Sequence, residues 1–263
     1  MKTLNANQLP LVIFAGGLGT RMQEETTTKP KPMVTVGGEP LIRIIIRSYG
    51  KYGVSKFYIL TGYKGEVFAD YFSTISFTQK ADIINGVDVV TFIFFENDQR
   101  FEIHLIDTGI QTPTAGRLLK IEDILKEDYF FCTYGDALAN IDINFQLETF
   151  NSSDVQFLVS AAKQRSRFGE LSFHSDSKIL QKFEEKPLMQ NLVNIGYFIF
   201  NREIFKYCIE SEMLESCAMN ILAQQANCLV YEHSGYWQPI DTLRELLEVN
   251  EMYNNAFTPW ENT

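Results

Sequence analysis

Short apolar runs rich in β-branched and aromatic residues recur along the chain, separated by stretches with helical spacing. The runs are "LVIFA" (11–15), "FYIL" (57–60), "VVTFIFF" (89–95), "YFFCTYG" (129–135), "VQFLVSAA" (155–162) and "IGYFIF" (195–200). Between them lie "PLIRIIIRSYGKYG" (40–53) and "TAGRLLKIEDILK" (114–126). In the second of these, Leu118, Ile121 and Leu125, with Ile124 at the margin, fall on one helical face. Strands alternating with helices predict β-α-β units. The expected fold is therefore a layered α/β domain, with a mostly parallel mixed sheet flanked by helices. With 263 residues, 45% of them hydrophobic, and no repeat or linker, the chain can bury one large core. The aromatics of "FIFF" and "YFIF" sit in strand-like runs and read as core.

The first apolar run breaks into "FAGGLGTRMQEETTTKPKPM" (14–33), which reads as neither helix nor strand. Glycine gives up the most conformational freedom on folding and proline removes an amide donor, so such a loop is costly unless it holds something. In parallel sheets ligands sit beyond the carboxyl ends of the strands, where this loop begins. Gly16, Gly17 and Gly19 let main-chain amides approach phosphate oxygens, Arg21 offers a planar fork, and Lys31 a point charge. Pro30 and Pro32 are expected to hold Lys31 on a stiff extended support. The string is not a P-loop, and Met22 takes the last glycine position of a G-x-G-x-x-G fingerprint. The plainer alternative is a glycine-rich turn followed by a solvated basic loop.

The formal net charge of −10 argues against a duplex-binding surface, so the basic residues of the loop point to a small anionic ligand. No apolar run approaches the ~20 residues of a membrane span, and the amino terminus lacks a secretory pattern. Cys132, Cys208, Cys217 and Cys228 show no C-x-x-C spacing and, with three scattered histidines, make a poor zinc set. Reduced thiols in a cytoplasmic protein are the simplest reading. "FFCTYGDALA" ends a strand on Gly135 and Asp136, either a turn carboxylate or a magnesium ligand. In "YWQPIDTLREL", Asp241 precedes a helical stretch, where residues alone favour a helix cap.

"GGLGTR" followed ten residues after Arg21 by the lysine of "KPKPM" resembles the signature of sugar-phosphate nucleotidyltransferases, and "GGLGTRMQEETTTKPKPM" resembles the glucose-1-phosphate cytidylyltransferases in particular. The resemblance continues through "GYKGE" (62–66), "LIDTG" (105–109), "AGRL" (115–118), "TYGD" (133–136), "RFGEL" (167–171), "EEKP" (184–187) and "YWQPIDT" (236–242). It implies a Rossmann-like nucleotidyltransferase fold of glycosyltransferase-A type. A nucleotide half would cover about 9–140 and an acceptor half about 141–263 of one domain, 1–263. It implies an Mg²⁺-dependent reaction of CTP with a sugar 1-phosphate, best α-D-glucose 1-phosphate, giving a CDP-sugar and pyrophosphate.

Carried over residue by residue, the resemblance gives Ala15, Gly16, Gly17, Leu18, Gly19, Thr20, Arg21 and Lys31 to the nucleotide, with Thr112, Gly116, Arg117 and Gly135. Catalysis falls to Arg21, Lys31 and Asp136. Asp136 and Asp241 hold the metal. Glu185, Lys186, Asn194 and Gly196 take the acceptor. The pattern departs at Asn194-Ile195-Gly196, where the family has a second glycine. Ile195 would fill part of a hexose pocket, which keeps a different phosphorylated acceptor open as the alternative. His104, His174 and His233 read as structural. No two aspartates stand in the Asp-x-Asp spacing of many glycosyltransferases. The segment 73–104 is rich in exposed-strand candidates and is a candidate subunit contact; members of the family tend to assemble, so the resemblance implies a homo-oligomer.

Overall fold

The structure, a computed structural model, describes residues 2–262. Nine strands form one sheet. From edge to edge they are Cys228–Glu232, Phe157–Arg165, Leu188–Asn201, Tyr129–Tyr134, Leu11–Phe14, Lys56–Thr61, Gln99–Asp107, Val87–Glu96 and Thr78–Ile84. The centre is parallel. Leu11–Phe14 pairs with Lys56–Thr61 on one side and Tyr129–Tyr134 on the other, and Lys56–Thr61 pairs onward with Gln99–Asp107.

All four residues of Leu11–Phe14 are buried. Alternation divides them between two cores. Leu11 and Ile13 pack with Ile42, Ile45, Ile46 and Tyr49 of the helix Leu41–Gly50. Val12 and Phe14 pack with Leu118, Ile121 and Leu125 on the opposite face. The two-sided burial explains why this first strand reads as an unbroken apolar run.

The sheet is mixed, as expected, and two other expectations need correction. "VVTFIFF" and "IGYFIF" are strands, but both run antiparallel to their neighbours. Around the first, Asn85-Gly86 and Asn97-Asp98 adopt positive φ at both central turn positions, which favours tight hairpins over helical crossovers. The stretch 114–126 is helical only over Thr114–Leu119. Successive turns then carry Leu118, Ile121 and Leu125 into the same buried face. Phe92 and Phe94 are core, but Phe95 points outward and stacks on Phe77, because alternate residues of a strand face opposite sides. All of "YFIF" is buried.

A separate two-stranded arm, Glu170–Phe173 with Leu180–Glu184, leaves the main sheet, and every residue from 170 to 186 is exposed. The four cysteines are free. Among the described residues no helix is long and apolar enough to cross a membrane.

Candidate functional site

The parallel strands end at one cavity of about 800 Å³. Its floor begins where Leu11–Phe14 stops. Ala15 still donates to the Leu60 carbonyl (3.0 Å), and Gly135 donates to the Phe14 carbonyl (3.0 Å), so the strand ends are tied before the chain turns out. Residues 15–19 then run without regular structure into a 3₁₀ turn, Thr20–Met22, and a short helix, Gln23–Thr26. The Thr26 hydroxyl folds back on the Gly19 and Met22 carbonyls at 3.0 and 2.9 Å, and Gly19 takes a left-handed φ of 63°.

Glycine is needed at 16 for a steric reason. A Cβ there would lie 2.0 Å from Nη1 of Arg117. That guanidinium is buried beneath the loop. Its Nη2 donates to the Gly16 carbonyl (2.9 Å) and the Ile110 carbonyl (3.3 Å), and its Nη1 to the Thr61 carbonyl (2.8 Å) and the Thr108 hydroxyl (2.5 Å). One side chain thus ties the glycine turn to the ends of two neighbouring strands. Burial lowers its pKa from the usual value, and the charge of Asp107 opposes that shift. Gly17 differs, since a Cβ there would meet nothing within 4 Å. It stands at the open face of the cavity.

Lys31 is not on an extended support. It opens a 3₁₀ turn, Lys31–Met33, closed by Met33 N–H to the Pro30 carbonyl (2.8 Å) and Val34 N–H to the Lys31 carbonyl (3.1 Å). Pro32 fits because the first residues of such a turn have no amide partner to lose. The lysine is 9% exposed. Its ammonium lies 2.7 Å from Oδ2 of Asp136 and 2.5 Å from Oδ1 of Asp241. Arg21 completes the cluster, with Nη1 2.8 Å from Oδ2 of Asp241.

A small ribbon brings the two aspartates together. Ala137–Ala139 pairs antiparallel with Trp237–Pro239, Pro239 facing Ala137, and Ile240 donates to the Asp136 carbonyl (2.9 Å). Each aspartate follows or precedes its ribbon strand, so the register sets them side by side. The helix cap expected at Asp241 belongs to Thr242, which forms a reciprocal capping box with Glu245. Asp241 is left free to face the cavity. Burial alone would raise its pKa, but the hydrogen bond and charge of Lys31, then Arg21 and Arg167, hold it below the usual carboxylate range.

Two carboxylates already sharing one cation form a suitable donor pair for Mg²⁺, which is bound through one or two carboxylates plus ligand phosphates. No cluster of three or more acidic, histidine or cysteine ligands occurs among the described residues, so a closed metal cage of the zinc type is not formed.

The cavity wall gathers residues 15–21, Lys31, Thr112, Arg117, Asp136, Asn194, Gly196 and Asp241. Thr112 donates to the Thr108 carbonyl (2.5 Å). Gly116 and Gly135 stand behind the wall, where a Cβ would strike the Glu210 carbonyl (2.3 Å) or Pro32 (2.8 Å). Glu185 and Lys186 are not in the wall; both lie on the exposed arm. Ile195 is 3% exposed, packs in the core with Tyr197 and Ile199, and reaches the cavity edge.

Three further wall residues, Tyr134, Glu215 and Trp237, were not singled out from sequence. The Tyr134 hydroxyl donates to the Glu215 carboxylate, and burial, then Glu215, push its pKa up. Glu215 sits in a segment with no motif, so only the fold reveals it. Trp237 lay within "YWQPIDT" but carried no chemical signal of its own.

The model of the nucleotidyl transferase family matches residues 11–256. The glucose-1-phosphate cytidylyltransferases of Salmonella typhimurium and Salmonella typhi are each 35% identical over 263 residues, covering 95% of this chain and 98% of the relative. Among solved structures, HddC from Yersinia pseudotuberculosis superposes with a TM-score of 0.66 at 20% identity, covering 93% of this chain and 99% of the other. A sheet ending in a glycine turn above paired lysine and aspartates, together with a family match over nearly its whole length, places this chain in the nucleotidyl transferase family.

Proposed function

We propose that this protein transfers a cytidylyl group from CTP to the phosphate of a sugar 1-phosphate, releasing pyrophosphate and a CDP-sugar. The convergence of the glycine turn, Arg21, Lys31, Asp136 and Asp241 on one cavity carries the reading. The two Salmonella relatives support CTP as the nucleotide and α-D-glucose 1-phosphate as the first acceptor to test.

The chemistry needs no covalent nucleophile, because the acceptor phosphate is already ionised at neutral pH. Residues 15–21 receive the triphosphate through main-chain amides. Arg21 and Lys31 take up charge on the departing pyrophosphate, and Arg117 keeps the glycine turn in place. Asp136 and Asp241 would hold Mg²⁺, which when bound would supply positive charge to offset the repulsion of the reacting phosphates. Asn194 and Gly196 line the same cavity, and on this reading they meet the acceptor. Catalysis on this reading is positioning and charge stabilisation.

Glu185 and Lys186 are absent from the cavity wall. Together with Ile195 at the edge, this keeps a second phosphorylated acceptor as the alternative. The deciding experiment measures pyrophosphate release from CTP against a panel of sugar 1-phosphates and non-sugar phosphates. Turnover with a sugar 1-phosphate supports the proposal, turnover only with a non-sugar acceptor selects the alternative, and no release with any acceptor defeats both. Four free cysteines fit a reducing compartment such as the cytoplasm. The exposed edge strand Thr78–Ile84 and the outward Phe77–Phe95 stack favour a homo-oligomer, which a 30.2 kDa species in sedimentation would contradict.

A further inference from the structure

In the protein alone, the carboxylates of Asp136 and Asp241 are already neutralised from within. The Lys31 ammonium bridges them at 2.7 and 2.5 Å, and Arg21 takes the second oxygen of Asp241 at 2.8 Å. The lysine has little freedom to leave unaided. Its side chain is 11% exposed, and its backbone is fixed in the 3₁₀ turn between Pro30 and Val34. A divalent cation arriving from water must therefore displace a tethered ammonium. It would gain only two carboxylates, with no third acidic, histidine or cysteine ligand among the described residues. Mg²⁺ gives up its water reluctantly and binds such sparse sites mainly when phosphates complete its shell.

We infer that Lys31 is the exchangeable resident cation of this site, closing it to divalent metal until a triphosphate draws the ammonium away. A bound triphosphate in the turn at 15–21 presents several negative charges to the same lysine. Lys31 then exchanges two aspartates for phosphate oxygens, and the aspartates are released to a metal that arrives with the nucleotide. The exchange also spares the free protein two unpaired carboxylates side by side, an arrangement that like-charge repulsion disfavours. Metal and nucleotide binding become coupled through one side chain, and each must then raise the affinity of the other. The inference rests on the proposed function for the identity of the nucleotide, for its seat in the turn at 15–21 and for the metal-holding role of Asp136 and Asp241.

Mn²⁺ serves as the probe, with the full chain and no nucleotide. Titration followed by the electron paramagnetic resonance signal of free Mn²⁺ should show weak binding to the wild type. Binding to Lys31→Met should be at least tenfold tighter. Asp241→Asn added to Lys31→Met should abolish the gain, and Lys31→Arg should keep the wild-type exclusion. Equal affinity of wild type and Lys31→Met, or a gain that survives Asp241→Asn, would overturn the inference.

A second measurement needs no variant at the lysine. Trp237 lines the cavity, and Trp260 is the only other tryptophan, buried in a separate cluster. In nuclear magnetic resonance the Trp237 indole signal should stay sharp with Mn²⁺ alone and broaden when CTP is added. Broadening by Mn²⁺ alone to the same extent would refute the exchange. Because both metal titrations omit the acceptor, their failure leaves the cytidylyl reading to the pyrophosphate assay, and the reverse also holds.

Discussion

Replacing Arg117 with methionine tests whether the glycine turn is held from beneath. The guanidinium makes four hydrogen bonds, but their loss is unequal. The Thr61 carbonyl keeps the Thr108 amide (3.0 Å) and hydroxyl (2.6 Å). The Gly16 carbonyl keeps only a 3.5 Å contact from Tyr63 N–H. Methionine fills much of the volume and removes the cost of burying a charge, which offsets part of the loss. Charge-assisted bonds contribute about 1.5–3 kcal/mol each, and one orphaned buried acceptor costs about 1–3 kcal/mol. A net destabilisation of about 2–4 kcal/mol is expected, which lowers Tm by roughly 4–16 °C at about 2–4 °C per kcal/mol. In urea the midpoint should fall with the slope unchanged, since the folded state stays compact. The KM for CTP should rise about tenfold, the turn having lost about 1.4 kcal/mol of its tether to the bound nucleotide, while kcat changes less. Arg117→Lys restores charge without the fork and should recover little of either effect. A Tm within 1 °C of wild type, with an unchanged KM for CTP, would refute the tether.

Three other outcomes follow from the same geometry. Lys31→Ala or Asp136→Asn should lower turnover a hundred- to thousandfold, about 3–4 kcal/mol, with the circular dichroism spectrum intact; near-normal turnover in either would reject the charge-stabilising roles. Gly17→Ala meets no atom within 4 Å, so it should fold and melt like wild type yet bind CTP at least tenfold more weakly by calorimetry; unaltered CTP binding would show that the phosphates lie elsewhere. His233 is 6% exposed, and burial holds its pKa below the usual 6.5 despite a hydrogen bond to the Tyr236 carbonyl. The unfolded chain therefore binds more protons just below pH 6.5, and stability should fall as pH drops through that value; His104, also lowered by burial, adds with the same sign. His233→Gln should flatten part of that slope in Tm measurements from pH 8 to 5, and an unchanged slope would exclude His233 as its source.

What was legible in the sequence follows the range of the interaction that fixes it. Apolar runs announce strands because burial on two faces leaves no room for polar residues, and "LVIFA" holds the buried first strand, Leu11–Phe14. The glycine turn stood out because its composition is unusual after a strand, although only Gly19 needs glycine for its own backbone, and Gly16 needs it to clear Arg117. Strand direction was less visible, although Asn85-Gly86 is a hairpin signal in its own right. The helix beginning at Thr114 was overread, since its spacing fits a buried face equally well when the chain continues in turns. Asp241 illustrates the limit. Its own neighbourhood suggests a cap, and only the pairing of Ala137–Ala139 with Trp237–Pro239 turns it toward Asp136. Glu215 reaches the cavity through tertiary packing alone and left no local trace.

The ion cluster also reconciles an acidic chain with a polyanionic ligand. A net charge of −10 repels phosphates at long range, but screening confines that field to about 10 Å at ordinary ionic strength. Inside the cavity the balance is local. Arg21 and Lys31 face Asp136 and Asp241, two charges against two, so the free site is close to neutral. On the proposed exchange the triphosphate draws Lys31 from the aspartates, and the metal that arrives with it takes the place of the lysine. The proposed exchange predicts a preference for a metal-bound triphosphate over simple phosphate, which carries fewer negative charges to draw Lys31 away while a divalent ion enters.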